Sequence, residues 1–521
     1  MQYACLCDYF FRFRVWLLDL TKILKSLQDE WYEALDPRAS KPTKGGFIRD
    51  PIHGHIGLDP IDFFVIDLPP LQRLRGILQL SFVDRIYPGA NHTRFEHAIG
   101  VATLASRILR SIQARADKGL IDNPPKITES DLLAVKLGGY FHDIGHLPFS
   151  HLLEPLFHDT LKDDYLTQGM KEGDNKPHEL LGYLILKSQY FRDAFHQISQ
   201  SVGFTVDEDL VADLAMGTKA VPNEKTYLRE IIHGDFDCDR MDYILRDSYY
   251  CGVPHGSVDP ERLIETFTLA SRNGSGVHLG IEEQGLPSVE AMYFSRSTMY
   301  ITVYHHHVSR ITEGMILRAG RDMIKEGKID LPTFLEHSDA SLLHLMRTAG
   351  TALSRAIVDR LLNRRLFKRL FVRRLADFKV LRDLMIPGAI LPKSIGKNTR
   401  SNLQDASDYF AKLDNNLKFE SECAENVYPT NERFCSLLFD CPKLELPRTE
   451  PNMEEYFTVR LRDKSWRPIL ELSPIIRTTE IEREAFVKNI MLAGNEPERY
   501  SQKASEYVIE RFNTDFSLDI G

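Results

Sequence analysis

A chain of 521 residues with 43% hydrophobic and 27% charged side chains can build about two to four well-packed domains. Its formal charge of −9 argues against a protein whose main partner is nucleic acid, while leaving room for a local basic cleft. Seven cysteines, an odd set without a CxxC pair, do not suggest a disulfide framework, and no apolar run reaches the roughly 18 residues of a membrane span; the expectation is a soluble intracellular protein, cytoplasmic first and nuclear as the alternative.

Residues 1–45 begin with an apolar run, Phe10 to Leu20, interrupted by Arg12 and Arg14, which predicts an amphipathic helical extension packed on the core. Gly46 to Leu58 has the short alternating character of strands. Thr93-Arg-Phe-Glu96 has the form of a capping box, so a helix starts there and places His97 on one face with Val101, Leu104, Ile108 and Ile112. A core histidine would satisfy that pattern equally well. Asp131 to Phe141 reads as a buried helix running into His142-Asp143-Ile-Gly-His146 and on to His151, with Gly145 as its stop and His142 and His146 on one face. An apolar helix ending in several histidines and an aspartate is costly unless they share a partner such as a metal or an anion.

Residues 155–177 form a polar insertion, expected to act as a lid beside His178, which follows Asn175 and Pro177 at a helix start. In Asp235 to Tyr250, helical spacing aligns Asp239, Tyr243 and Asp247 on one face. Asn273-Gly274 marks a turn into a strand at Gly276 to Glu283, and Pro287 to about Lys325 reads as one long helix aligning Arg296, Tyr300 and Tyr304 before His305, His306 and His307. After about Leu370 the pattern becomes loop-rich and mixed. The fold class is therefore mostly α, a helical core at 46–372 with short β-hairpins, followed by an α+β region at 373–521 of undisclosed role.

His97, His142, Asp143 and Asp239 can close around one divalent ion, a hydrolytic arrangement, and Arg94, Arg240 and Arg296 around it suit a multiply charged phosphate ester. Asp50-Pro-Ile-His-Gly-His55, Leu71-Gln-Arg-Leu-Arg75, Tyr87 to His97, His142 to His151 and Asp239 to Asp247, in this order, resemble the HD-domain deoxynucleoside triphosphate triphosphohydrolases, both dGTPase-like bacterial members and the vertebrate members that add a SAM domain. No SAM domain is apparent here, and the likeness runs from about Gly46 to about Leu370.

The resemblance implies hydrolysis of a dNTP at the α-phosphorus, giving deoxynucleoside and tripolyphosphate. It implies His97, His142, Asp143 and Asp239 as ligands of a transition metal, with Fe, Mn, Zn and Ni not distinguished, and Mg with the triphosphate. His178 matches the catalytic histidine and Glu154 the acid that orients it, with His146 beside them; Arg94, His146, His151, Arg240, Tyr243 and Arg296 match phosphate contacts. Gln79, Leu80, Asp247 and Tyr304 match the sugar pocket, and Tyr300 stands where the family has a histidine. Asp67, Gln72, Arg75, Arg364 and Lys368 fit a regulatory nucleotide site at an oligomer interface, expected to be dimeric or tetrameric, but Gly46 and Arg49 depart from that site's pattern. The rival readings are a phosphodiesterase for cyclic or signalling nucleotides, in which Arg240 and Arg296 would be idle, and a catalytically silent nucleotide- or nucleic-acid-binding effector.

Overall fold

The computed structural model describes residues 24–156, 176–272, 276–374, 402, 404–410, 412–433, 435–441, 457–476 and 489–518. The extension's apolar run, most of the expected lid, the Asn273-Gly274 turn and the loops around Pro387 and Lys393 lie outside these residues. From the extension, residues 24–34 form helix α1, whose Trp31 packs edge-on against Tyr190 at 5.6 Å while the Tyr32 hydroxyl donates to Asp193 Oδ2 at 2.6 Å.

Strands β1 (Gly46–Asp50) and β2 (Gly54–Leu58) pair as an antiparallel hairpin that leads into α2 (Pro60–Ile66). The centre of the core is α3 (Arg94–Asp117), packed on α4 (Glu129–Phe141). The Thr93 N–H donates to Glu96 Oε2 at 2.9 Å, as the capping box predicts, and Val101, Leu104, Ile108 and Ile112 are completely buried. Around this pair lie α5 (Pro177–Leu186), α6 (Gln189–Val202), α7 (Glu208–Met216), α8 (Thr226–His233) and α9 (Cys238–Cys251). Gly100 permits the approach of α9 to α3, since a Cβ there would stand 1.9 Å from Asp242 Oδ1.

Two expected helices end differently. α4 stops at Phe141, and residues 142–145 form turns in which the Ile144 N–H donates to Phe141 O and the His146 N–H to Asp143 O. His146 thus reaches the cleft by a turn rather than by helical i+4 spacing. The long helix expected from Pro287 is α10 (Leu286–Met299), a π turn at Tyr300–Tyr304, and α11 (His307–Lys325). The His305 N–H donates to Tyr300 O at 2.9 Å, and this i→i+5 bond adds one residue to the turn and re-aims Tyr304. No Pro or Gly announces it.

β3 (Phe267–Arg272) and β4 (Gly276–Glu282) are joined by β7 (Thr458–Arg460), parallel to β4, and then β8 (Trp466–Pro468). β5 (Lys368–Arg374), β9 (Asn489–Gly494) and β6 (Leu437–Asp440) form a second mixed region with α12 (Leu413–Val427) and α13 (Pro497–Phe516). The boundary expected between residues 372 and 373 falls inside β5, and β7 extends a core sheet, so the C-terminal region is woven into the core. Arg310 on α11 fastens it further, donating from Nε and NH2 to the two Asp440 carboxylate oxygens at 3.0 and 2.7 Å.

Candidate functional site

The four expected ligands come from α3, the end of α4, the turn after it, and the first turn of α9. His97 Nε2 lies 3.2 Å from His142 Nε2, 3.0 Å from Asp239 Oδ1 and 3.8 Å from Asp143 Oδ2, and His142 Nε2 lies 3.4 Å from Asp143 Oδ1. Ligand atoms about 2.0–2.2 Å from one ion are separated by such distances, so His97, His142 and Asp143 fit a divalent metal, with Asp239 Oδ1 beside both imidazoles. Their outer partners fit as well. His97 Nδ1 is bound to Asp242 Oδ2 at 2.7 Å and His142 Nδ1 to Gly139 O at 2.8 Å, which makes both Nδ1 atoms donors and turns both Nε2 atoms inward.

The electrostatics favour a positive charge between them. Burial opposes protonation of His97, but Asp239 and Asp242 push its imidazole up to about 10. Burial also works against the Asp143 carboxylate, yet Arg94, His142 and His146 hold it well below the usual range, ionised and ready to ligate. Arg94 NH1 donates to Asp143 Oδ2 at 2.5 Å and Nε to Ser150 Oγ at 2.8 Å.

A second cluster adjoins the first through His146. Its Nε2 is 3.2 Å from Asp143 Oδ1, and its ring stacks on His178 at 4.0 Å. Glu154 Oε1 receives both His178 Nδ1 at 2.7 Å and His151 Nδ1 at 2.8 Å. Despite burial, His151 and His178 hold the Glu154 carboxyl well below its usual range. α5 begins at Pro177 with Lys176 as its cap, the Lys176 N–H donating to Glu179 Oε2 at 2.9 Å; Asn175, expected as the cap, lies outside the described residues. Gly145 allows the first turn of α5 to sit against the His142-Asp143 turn, because a Cβ would lie 2.1 Å from His178 O.

Asp247 ends the other side of the cleft. Its Oδ2 accepts the Tyr304 hydroxyl at 2.6 Å and its Oδ1 meets His92 Nε2 at 2.7 Å. Arg296 Nε donates to the Tyr243 hydroxyl at 3.2 Å, its guanidinium lies over the Tyr300 ring at 5.2 Å, and Tyr300 and Tyr304 meet edge-on at 5.1 Å. Arg240 turns back along α9, with NH1 on Gly234 O and Asp237 Oδ2. Gln79, Leu80, His151 and Tyr304 line a cavity of about 390 Å³ whose far wall includes Asn416, Glu420 and Phe439.

Of the residues expected for regulation, Asp67 is the C-cap of α2, Gln72 Nε2 donates to Ile66 O at 2.7 Å, and Arg75 donates to Gln72 Oε1 at 2.8 Å while lying over Phe95 at 3.6 Å. Arg364, at φ +51°, donates to Arg85 O at 3.0 Å, and Lys368 opens β5, so this pair comes from a separate segment.

Reading the sequence missed the support beneath the metal ligands. Asp242 and Arg246 are fully buried on α9, with Arg246 Nε and NH2 on the two Asp242 oxygens at 2.8 and 2.9 Å, NH1 on Asp50 Oδ2 at 2.8 Å, and His53 Nε2 on Asp242 Oδ1 at 2.6 Å. Asp239-Arg-Met-Asp242 carried the signal: a second carboxylate one turn along, beside an apolar face that must bury it.

Residues 94–247, which carry all four expected ligands, match the HD domain family, and residues 258–386 match the HD associated region. The chain thus carries the pattern of an HD domain over residues 94–247. It is 32% identical to an uncharacterized protein of Methanocaldococcus jannaschii over 62% of this chain and 59% of that one. It is 30% identical to the deoxynucleoside triphosphate triphosphohydrolase SAMHD1 of Gallus gallus over 57% and 47%. The matched part of the chain thus spans about half the length of these curated relatives. A crystal structure of a hypothetical protein from Aquifex aeolicus superposes with a TM-score of 0.61 at 23% identity, covering 89% of this chain and 100% of that chain, a likeness of fold. The HD chain is mostly α with short strands and carries His and Asp groups able to hold a divalent metal. Among the described residues no helix is long and apolar enough to cross a membrane.

Proposed function

We propose that this HD-domain protein hydrolyses deoxynucleoside triphosphates to deoxynucleoside and tripolyphosphate. The observation that carries the reading is the contact between two clusters: His146 touches Asp143 on one side and stacks on His178 on the other. A metal-holding group and a carboxylate-backed histidine therefore face one cleft. His97, His142, Asp143 and Asp239 would hold the metal, which when bound supplies a water of lowered pKa and polarises a phosphoryl oxygen.

The chain's own residues do the rest. Glu154 accepts from His178 Nδ1 and so fixes the ring's orientation, leaving Nε2 to act as the proton donor to the departing 5′-oxygen. Arg94 and Arg296, with His151, supply donors for the phosphates, and Arg240 joins them by leaving Gly234 O. The Asp247–Tyr304 pair accepts the sugar's 3′-hydroxyl and crowds the 2′ position. Mg accompanies the triphosphate. Regulation by a nucleotide at Asp67, Gln72, Arg75, Arg364 and Lys368 in a homo-oligomer, and an intracellular setting, complete the proposal.

The test is to supply metal-loaded protein with the four dNTPs, a set of rNTPs and cyclic nucleotides. Nucleoside and tripolyphosphate from dNTPs alone support the reading. Cleavage only of cyclic nucleotides makes it a phosphodiesterase, and dNTP binding without turnover makes it a silent effector.

A further inference from the structure

The cavity beside Gln79, Leu80 and Tyr304 has its far wall in the C-terminal region, on α12 and β6, and its polar lining is unevenly paired. Arg310, Glu313 and Asp440 satisfy one another, with Arg310 NH1 on Glu313 Oε2 at 2.6 Å and NH2 on Asp440 Oδ1 at 2.7 Å. Glu420 is different. It is 4% exposed, and its Oε1 accepts the Phe439 N–H at 2.8 Å, while its Oε2 lies 3.4 Å from the Arg318 guanidinium, beyond a good hydrogen bond. Among the described residues no hydrogen-bond donor reaches Glu420 Oε2, Asn416 Oδ1 or Gln79 Oε1, and all three side chains line this one cavity. Burial pushes the Glu420 carboxyl up to about 7 even with Arg318, the Phe439 N–H and Arg321 pulling it down.

Buried acceptors of this kind select a ligand that brings N–H or O–H groups, because an analogue lacking them leaves the acceptors unpaired. The cavity is of a size for a nucleobase and its sugar. Gln79 stands with Tyr304 at the sugar end, which leaves Glu420 and Asn416, with Arg318 between them and the Leu437 carbonyl, for the base. Of the four bases, guanine alone presents two neighbouring N–H donors, at N1 and N2, beside one acceptor, O6. That edge matches two acceptors beside a guanidinium. Thymine is the poorest match, with one N–H between two carbonyl oxygens.

We infer that this cavity is the nucleobase subsite, and that Glu420 and Asn416 of the C-terminal region select a donor-bearing base edge, guanine foremost and thymine last. The inference rests on the triphosphohydrolase reading for its substrate. It gives the C-terminal region a place in substrate choice. Glu420→Gln is nearly isosteric, and because Oε1 is pinned by the Phe439 N–H, the new amide NH₂ faces the cavity in place of an acceptor.

The experiment compares kcat/KM for dGTP and dTTP in the full metal-loaded chain, as wild type, Glu420→Gln and Asn416→Asp. The expected result is a dGTP preference of about tenfold or more, lost in Glu420→Gln with dTTP turnover held or raised, and kept in Asn416→Asp, which retains an acceptor. No preference in the wild type, or an equal loss on both nucleotides in Glu420→Gln, overturns the subsite. Binding of dGTP and dTTP by calorimetry separates this from the reaction itself. If neither nucleotide is cleaved, selective dGTP binding that Glu420→Gln abolishes keeps the subsite and removes the proposed activity, while unselective or absent binding removes the subsite too.

Discussion

Asp242 Oδ2 accepts a hydrogen bond from His97 Nδ1 at 2.7 Å, and it does so from a carboxylate that is wholly buried. Burial works against its ionised form, but Arg246, His53 and His97 hold it well below the usual carboxylate range. The pair fixes the tautomer of a metal ligand from behind. Asp242→Asn should therefore weaken metal binding by about 10–100-fold, read by titrating metal into apo-protein shown to be folded by circular dichroism. Unchanged affinity would make the contact purely structural. The same change leaves Arg246 with less compensating charge, so the apo-protein should also melt at a lower temperature.

His178→Ala should retain the metal and lose about 10²–10⁴ in rate, the usual contribution of a positioned proton donor. Asp143→Ala should lose metal and turnover together. Metal analysis beside the rate measurement distinguishes the two. Full activity in His178→Ala would remove that residue from the chemistry.

Gly145→Ala places a Cβ against the His178 carbonyl, where the backbone stands 2.1 Å away. The first turn of α5 must then shift from the His142-Asp143 turn, at a cost of about 1–3 kcal/mol in stability. Thermal melts and kcat measured together should both fall; a variant with native melting and native kcat would contradict the close approach.

His233, close enough to His142 and Asp239 to feel their charges, gives a pH dependence of its own. Burial lowers its imidazole to about 4, with the Ala215 carbonyl, 2.8 Å from Nε2, acting the other way. Because the folded pKa lies below the unfolded value of about 6.5, the unfolded chain binds the proton more readily. The contribution is complete above about 6.5 and is lost as pH falls toward 4, on the order of 3 kcal/mol over that window. Denaturant melts of apo wild type and His233→Gln should converge as pH drops through that range. Parallel pH curves would contradict it.

Local signals in the sequence carried far. The Thr93–Glu96 cap, the stripe from Val101 to Ile112 and the β1–β2 alternation depend on neighbours in the chain, and each has the predicted form. The candidate ligands could be named from their motifs, and the structure gathers His97, His142 and Asp143 into one group able to hold an ion, with Asp239 Oδ1 3.0 Å from His97 Nε2. What escaped depends on partners far away in sequence. Asp50 is 196 residues from Arg246, and nothing around either announces the pair. The π turn at Tyr300 was invisible because it needs no breaker, only a tertiary reward for turning Tyr304 onto Asp247. Glu420 lies in a region whose loop-rich text gave no motif, and its meaning comes from the cavity wall it forms.

The most direct measurement of the central claim is hydrolysis of a dNTP by metal-loaded protein in ¹⁸O-labelled water, with products followed by ³¹P NMR and mass spectrometry. Attack at the α-phosphorus predicts one ¹⁸O in tripolyphosphate and none in the deoxynucleoside, with activity lost on chelation and restored by metal. Nucleoside monophosphate with pyrophosphate, or label in the nucleoside 5′-hydroxyl, would contradict it.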